Sequence, residues 1–250
     1  MKAIKFTLSG KTAFFKKPEV NAYFYFTYGQ IHKMTLLGIF GAILGYDGYA
    51  QKGWKSKEKK AKLVAEVPEF YEKLKGIRIS VVPQNENGYI SKKVQVFNNS
   101  VGYASKEQGG NLIIKEQWLE NPKWDIYVCL EGEVEECLAE KLLANEYVYI
   151  PYLGKNDHLA DITGVEMVEL RETSKKEILL SSLFIKEMGE LSDEVDEGAK
   201  MDFRYEEQLP VGIDEMTNLY ICKSFVFTNY IMEEVTGMVF DANGKKIMFY

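Results

Sequence analysis

Lysines and aromatic residues interleave near the start of the chain, on both sides of an aromatic run at residues 23–26. A lysine ammonium neutralises a phosphate and an aromatic face stacks on a base, so this combination is typical of proteins that bind single-stranded nucleic acid. We predict phosphate contacts from Lys11, Lys16 and Lys17, and base stacking from Phe15 and Tyr28. The full set predicted in this stretch is Lys11, Phe14, Phe15, Lys16, Lys17, Tyr28, His32 and Lys33.

Tyr28 and His32 also permit a catalytic interpretation. A metal-independent ribonuclease needs an acid or base beside the ribose 2′-hydroxyl, and Tyr, His and Lys can supply one. The only other histidine, His158, is remote in sequence, and the three cysteines lack metal-binding spacing. The segment Gly10-Lys11-Thr12 lacks the upstream glycine of a phosphate-binding loop. The sequence therefore predicts no catalytic residue, metal or cofactor, with an endoribonuclease as the alternative.

Charge is distributed unevenly along the chain. The net charge is -6 over 250 residues. Residues 1–62 carry 12 lysines against 3 acidic residues, a net of +9, whereas residues 63–250 carry 19 basic and 34 acidic residues, a net of -15. A basic region on an acidic body can bind a polyanion on one face. Lysines that are merely solvated are the alternative, which would leave a protein-only scaffold.

Compartment and membrane association follow from simple counts. No apolar run reaches the roughly 20 residues that a helix needs to cross a bilayer. The odd, scattered cysteines Cys129, Cys137 and Cys222 indicate a reducing compartment. We therefore expect a cytoplasmic protein that does not associate with membranes.

The apolar pattern predicts an α+β fold. Strands are expected at residues 3–8, 77–82, 124–130 and 164–170, and helices at 34–44 and 133–144. The order strand, helix, strand, strand, helix, strand is that of the ferredoxin-like (RRM-like) fold. We predict such a domain over residues 1–172, with an inserted hairpin or projecting loop, here called the thumb, at about 98–123.

A small β-rich domain is predicted over residues 173–250. The acidic segment 187–207 is expected to be a loop or a mobile segment. A hairpin is expected at 235–250 with its turn at Asn243-Gly244.

Two further expectations concern packing. Phe24 and Phe26 alternate along a short predicted strand and are expected in the core. Gly38, Gly41 and Gly45 recur near helical spacing in an apolar helix, and their expected role is close packing of that helix on a sheet.

Three segments resemble the CRISPR-associated family five proteins, the subunits that cap the 5′ handle of crRNA in type I Cascade surveillance complexes. Residues 9–18 are similar to the opening small-Gly-x-x-Ala-x-Phe-basic-x-Pro pattern of the family. Residues 35–45 are similar to its glycine-bearing helix, and residues 149–160 to its Pro-x-Leu-Gly segment. Together these segments hold 33 of the 250 residues, about an eighth of the chain, and the resemblance is closest to the type I-B branch.

The resemblance implies a non-catalytic RNA-binding subunit in antiviral defence. It implies that Gly154 and Lys155 lie at the site of the crRNA 5′ handle together with the Phe15-Lys16-Lys17 loop, here called the N-terminal loop. It also identifies residues 98–123 as the family's thumb. The implied partners are the crRNA, the Cascade backbone subunit and the Cascade large subunit, with target DNA contacted indirectly. The thumb residues selected on this basis are Asn98, Asn99, Lys106 and Gln108.

The sequence also departs from the family pattern. Lys16 stands where the family often has arginine, and lysine lacks the planar fork that stacks on a base. In the type I-C branch, a tyrosine and an adjacent Lys-His pair cleave precursor RNA. Tyr28 falls near that tyrosine, but this chain contains no Lys-His pair. The aromatic signature of RNA-binding RRM sheets is also missing, so binding is predicted on loops rather than on an open sheet face.

Overall fold

A computed structural model describes residues 1–19, 23–49, 67–103, 106–196, 198 and 200–250. Six of the twelve N-terminal lysines, at positions 52–62, and the predicted polar connection there lie outside the described residues. The α-helices that lie within the described residues are α1 (Lys33–Leu44), α2 (Glu69–Leu74) and α3 (Glu133–Ala144). The strands are β1 (Lys2–Ser9), β2 (Thr12–Ala13), β3 (Phe24–Tyr25), β4 (Ile79–Pro83), β5 (Lys92–Asn98), β6 (Ile113–Glu120), β7 (Lys123–Cys129), β8 (Asp161–Glu169), β9 (Arg171–Glu172), β10 (Lys176–Ile178), β11 (Phe184–Ile185), β12 (Gly189–Val195), β13 (Arg204–Ile213), β14 (Tyr220–Thr228), β15 (Tyr230–Val235), β16 (Val239–Ala242) and β17 (Lys245–Met248).

The fold is mixed α+β and mostly β, as the sequence predicts at that level. A four-stranded sheet has the order β4-β7-β1-β8, and its neighbouring strands are all antiparallel. All six elements predicted for the N-terminal half are present, with ends that shift by up to about three residues. We call this four-stranded sheet the central sheet.

One face of the central sheet packs against the helices. Alternation along β1 sends Ile4, Phe6 and Leu8 to this face, and all three are fully buried. Their cross-strand partners on β7 include Ile126 and Trp124. Buried residues of α1 and α3 complete this core.

The opposite face of the central sheet is covered as well. The hairpin of β16 and β17 turns at Asn243-Gly244, as predicted, with φ of 53° and 87°. Its Phe240 packs in a second cluster with Tyr127 and Val168 of the central sheet. The C-terminal residue Tyr250 also exchanges two backbone hydrogen bonds with Ile79. Residues after 172 therefore share the core of the earlier half, and the domain boundary at 172 stays a prediction.

The prediction for the acidic segment 187–207 is wrong for most of its described residues, because these form strands. The segment contains β12 and the start of β13. The reason is pairing: β12 pairs with β15, and β13 pairs with β14, along most of their lengths. Ladder hydrogen bonds and partly buried side chains stabilise these strands despite their high charge.

The thumb begins earlier than predicted. Strands β5 and β6 form an antiparallel hairpin in register from Lys92 opposite Leu119 to Asn98 opposite Ile113. Strand β6 also pairs with β2 and β3, so the hairpin is joined to the N-terminal loop by backbone hydrogen bonds. The predicted range 98–123 thus covers only the second strand and the connection of this hairpin.

No α-helix within the described ranges is long and apolar enough to cross a membrane.

The covered second face gives a stability prediction. Phe240→Ala should lower the free energy of unfolding by about 3–5 kcal/mol, because it leaves a cavity between the hairpin and the central sheet. Tyr23→Ala is the matched aromatic control: Tyr23 is 92% exposed, and its loss should change stability by less than about 0.5 kcal/mol. Urea unfolding measures both variants. Equal effects would show that the hairpin does not cover the sheet.

Candidate nucleic-acid interface

A groove of about 760 Å³ lies between the N-terminal loop, the thumb and the loop after α3. We call it the loop groove. Its lining includes six residues of the predicted set: Phe14, Phe15, Lys16, His32, Gly154 and Lys155. One predicted thumb residue, Asn99, lies at the same groove. Three segments far apart in sequence therefore meet at one site.

The N-terminal loop is held in a narrow, paired conformation. The Phe15 N–H donates to the Thr27 hydroxyl at 2.9 Å, and the Tyr28 N–H donates to the Phe15 carbonyl at 2.8 Å. The Lys17 N–H donates to the Phe26 carbonyl at 2.8 Å. Because these bonds link residues 15–17 to residues 26–28, the basic and aromatic side chains project from a fixed backbone.

Gly154 joins this loop to the loop after α3. The Phe14 N–H donates to the Leu153 carbonyl at 3.1 Å. A Cβ on Gly154 would lie 1.9 Å from the Phe14 carbonyl oxygen, and the glycine φ is 92°. Only glycine fits both the close approach and the left-handed backbone.

The two groove lysines are positioned by rings and carboxylates. The Lys16 ammonium lies 4.2 Å from the ring centroid of Tyr25. The Lys155 ammonium pairs with Glu116 at 3.1 Å and lies 5.6 Å from the ring of Phe14. The lining also holds Asp157, so its two lysines are balanced by two acidic residues. A phosphate entering the groove would have to compete with Glu116 for Lys155.

The other predicted lysines lie elsewhere. Lys17 pairs with Glu207 of β13 at 2.6 Å, a carboxylate that also accepts from the Tyr205 hydroxyl at 2.5 Å. Lys11 is exposed but does not line the groove. Lys33 is buried at the start of α1, and burial lowers the pKa of its ammonium. The structure therefore brings Lys16 and Lys155 together and leaves these three outside.

His32 caps the N-terminus of α1. The Thr35 N–H donates to its Nδ1 at 3.3 Å, and its Nε2 lies 3.1 Å from the Thr35 hydroxyl. The residue is 4% exposed, and burial lowers the pKa of its ring to about 3. His32 thus lines the groove as a neutral, structurally engaged ring.

Tyr28 and Phe15 are buried to a similar degree, at 2% exposure each. Burial, aided by Glu19 and Glu207, raises the pKa of the Tyr28 phenol well above its ordinary value. Phe15 packs beside Trp124 and His32, with ring centroids 6.0 Å away in both cases. In this conformation neither ring presents an open stacking face.

The aromatic run contains the accessible rings. The sequence predicted Phe24 and Phe26 in the core, and that prediction is wrong: Phe24 is half-buried, Phe26 is exposed, and their two rings pack against each other with centroids 4.7 Å apart. Phe26 is 38% exposed. Tyr25, on the opposite side, lines the loop groove. Sequence alternation separated Tyr25 from Phe24 and Phe26, but it did not show that Tyr25 faces the groove.

Three of the four predicted thumb residues lie away from the loop groove. Asn98 caps a turn by accepting from the Ser100 N–H at 2.9 Å. Lys106 and Gln108 are exposed on the connection between β5 and β6. Only Asn99 faces the groove.

Sequence reasoning missed most of the thumb's contribution. Phe97, Leu112, Ile114 and Glu116 line the groove from β5, β6 and their connection. Strand alternation would have grouped Ile114 with Glu116 had β6 been identified as a strand. Tyr220 comes from β14, and no local signal placed it there.

Among the groove residues that the sequence did not predict, Glu116 has the most side-chain partners within the described ranges. It is 5% exposed and accepts from the Trp118 indole N–H at 2.8 Å as well as from Lys155. The ring of His158 lies 4.5 Å from Trp118, and its Nδ1 is 2.6 Å from the Thr12 hydroxyl. Burial lowers the pKa of His158. Within the described part of the chain, no group of three His, Cys, Asp or Glu residues could hold a metal ion.

Comparisons with known proteins give a fold-level likeness. A chain of a "CRISPR RNA-guided surveillance complex" matches with a TM-score of 0.53 at 13% identity, over 92% of this chain and 91% of that one. A CRISPR protein from Archaeoglobus fulgidus matches with a TM-score of 0.50 at 11% identity, over 100% of this chain and 99% of that one. No protein-family model and no curated protein match the sequence. The chain therefore shares its fold with CRISPR proteins.

Gly154 gives a test of how the groove is built. Gly154→Ala should destabilise the protein by more than about 2 kcal/mol, because the new Cβ strikes the Phe14 carbonyl in addition to straining the backbone. Gly109→Ala is the matched control, since its φ is 76° and a Cβ there meets no described atom within 4 Å. Gly109→Ala should lower the free energy of unfolding only by the cost of a left-handed backbone at alanine, about 1–2 kcal/mol. Equal losses by chemical denaturation would show that residues 14 and 154 are not in contact.

His32 gives a test against pH. The unfolded chain protonates this ring below about pH 6.5, whereas the folded protein resists protonation down to about 3. Stability should therefore fall as the pH falls through this window, by up to about 1.4 kcal/mol per pH unit from this residue. His32→Asn keeps a capping side chain and removes the titration, so its stability should depend less steeply on pH. Parallel wild-type and variant curves would contradict the assignment.

Proposed function

We propose that this protein is an RNA-binding subunit of a CRISPR surveillance complex and that the loop groove holds the 5′ handle of crRNA. The observation that carries the proposal is the meeting of residues 14–16, 154–155 and 99 in one groove. Two of these three segments are ones in which the sequence resembles the family five proteins. The shared fold with a chain of an RNA-guided surveillance complex supports the same role.

The topology supports the finer fold assignment. The antiparallel order β4-β7-β1-β8, with α1 after β1 and α3 after β7, is the arrangement expected of a ferredoxin-like domain. We propose that residues 1–172 form this domain and that the β5–β6 hairpin is its thumb. The type I-B subtype is proposed from the sequence resemblance alone.

Loops rather than a sheet face would carry the RNA. In RRM domains the open sheet face binds bases. Here that face of the central sheet is occupied by Phe240 and its neighbours. The loop groove offers instead the cations Lys16 and Lys155 together with the ring of Tyr25. Phosphate neutralisation and stacking can both occur there.

We propose that the subunit is not catalytic. His32 stays neutral because of its burial, and its two ring nitrogens already have partners in Thr35. The Tyr28 phenol resists ionisation. Both features favour a structural role over proton transfer. Incubation of the purified protein with CRISPR repeat RNA in EDTA should return the RNA intact, and clean single-site cleavage lost in Tyr28→Phe would contradict this part.

The proposed partners are the backbone and large subunits of such a complex, with target DNA reached indirectly through them. A protein-only scaffold is the competing class. Purified complex should show excess absorbance at 260 nm over 280 nm from bound RNA, and that excess should fall when Lys16 and Lys155 are replaced.

The binding experiment uses salt dependence. Two lysine–phosphate contacts predict a slope of about 1.4 in log affinity against log salt, or about 7-fold weaker binding from 50 to 200 mM salt. Replacing both Lys16 and Lys155 with alanine should weaken binding of handle RNA and remove most of that slope. The measurement is fluorescence anisotropy with a labelled single strand.

Lys11→Ala is the matched control, because Lys11 is exposed on the same N-terminal segment but outside the groove. Its affinity and salt slope should stay near those of the wild type. A larger effect from Lys11 than from Lys16 would place the RNA outside the loop groove.

A further inference from the structure

A second cleft of about 590 Å³ adjoins the loop groove. Thr35, Gly154 and Tyr220 line both, so the two spaces share a wall. We call the second space the tyrosine cleft, because five tyrosines line it. They are Tyr46, Tyr49, Tyr149, Tyr152 and Tyr220.

The chemistry of the tyrosine cleft differs from that of the loop groove. No charged side chain among the described residues lines it. Its rings offer apolar faces, and their hydroxyls offer hydrogen bonds at the edge. Tyr49, Tyr149 and Tyr152 are 51%, 52% and 44% exposed, so their rings are not buried in the core and remain accessible to a ligand. Planar ligands with polar edges fit such a lining.

The cleft is built on fixed backbone. The Tyr149 N–H donates to the Ala42 carbonyl of α1 at 3.0 Å, and the Val148 N–H donates to the Ile43 carbonyl at 3.2 Å. The Tyr49 side chain is held as well, because its hydroxyl donates to Asn218 Oδ1 at 3.0 Å. These bonds fix the positions of Tyr149 and Tyr49 in the lining.

Gly38 lies at the floor of the cleft with no packing reason to be glycine. A Cβ on Gly41 would lie 2.6 Å from the Phe70 side chain, and Gly45 ends α1 with φ of 84°. Among the described residues, a Cβ on Gly38 would meet nothing within 4 Å. Glycine is costly in a helix interior. Here the missing side chain leaves open space beside the rings, which is what an external ligand requires.

We propose that the tyrosine cleft receives an unstacked nucleobase of the RNA strand whose phosphates lie in the loop groove. This inference rests on the proposed function and adds a base subsite to it. The shared wall provides the continuity: a strand held beside Lys16 and Lys155 can turn a base past Gly154 and Tyr220. Stacking on tyrosine tolerates any base, so the subsite contributes affinity more than sequence selection.

The test uses a labelled RNA of about eight nucleotides, a length within the usual site size. It is compared intact and with a single abasic nucleotide at each successive position. In the wild type, one abasic position should weaken binding by at least about 5-fold, the effect of one lost stack. Gly38→Leu, which fills the cleft, should weaken the intact RNA to the same degree and show no further loss with that abasic strand.

Stability measurements separate ligand binding from folding. Gly38→Ala should raise the Tm, because alanine favours the helix and meets no neighbour. Gly76→Ala is the control glycine, since a Cβ there also meets nothing and residue 76 lines neither space. It should leave RNA affinity unchanged. If Gly38→Leu does not fold, Tyr149→Ala replaces it in the abasic comparison.

The outcomes distinguish the two proposals. If wild-type protein binds none of these strands, both proposals fail. If it binds them and loses affinity in the Lys16 and Lys155 variants, while Gly38→Leu and Tyr149→Ala bind intact and abasic strands as the wild type does, the cleft proposal alone fails. A fall in Tm for Gly38→Ala would show that the cleft is filled by protein, which also overturns it.

Discussion

The two-sided burial of the central sheet determines where this protein can bind anything. Ile4, Phe6 and Leu8 face the helices on one side, and Phe240 of the C-terminal hairpin closes the other. Together these layers bury β4 and β7 on both faces and much of β1, so the accessible chemistry beside these strands lies on the loops that leave the strand ends. Strand β1 ends directly before the N-terminal loop, and β8 begins directly after the loop that carries Gly154. Because β1 and β8 are antiparallel neighbours, these two loops meet at one edge of the sheet.

Acidic residues from later in the chain position the lysines at that edge. Glu207 of β13 accepts from the Gly29 N–H at 2.8 Å while pairing with Lys17, so it fixes the N-terminal loop by backbone and side chain together. Glu116 of the thumb pairs with Lys155 through its side chain alone. Part of the positive charge of the basic N-terminal region is therefore paired with acidic residues of the same chain. Some of the positive charge is neutralised within the fold, which leaves a groove with balanced charge instead of a strongly cationic surface.

The sequence predicted the local elements well because their information is local. Alternation in β1, the helical periodicity of α1 and α3, and Asn243-Gly244 each specify their own structure. The sequence-based prediction failed where the structure of a segment depends on pairing with a distant strand. The acidic strands β12 and β13 form through pairing with β15 and β14. The groove shows the same division. Loop residues such as Lys16 were found from composition, whereas Glu116 and Tyr220 required knowledge of which strands come together.

The three glycines of α1 show how spacing in a sequence can hide separate physical causes. Their near-helical recurrence predicted close packing on a sheet, but none of the three meets a strand residue. Gly41 makes room for Phe70 of α2, and Gly45 supplies the left-handed residue at the helix end. Gly38 has neither role, since the space beside it is open. A helix loses about 1 kcal/mol for each interior glycine relative to alanine. For Gly41 that loss is offset by packing against Phe70, whereas the described residues give Gly38 no such packing, and the proposed base would occupy the space that its missing side chain leaves.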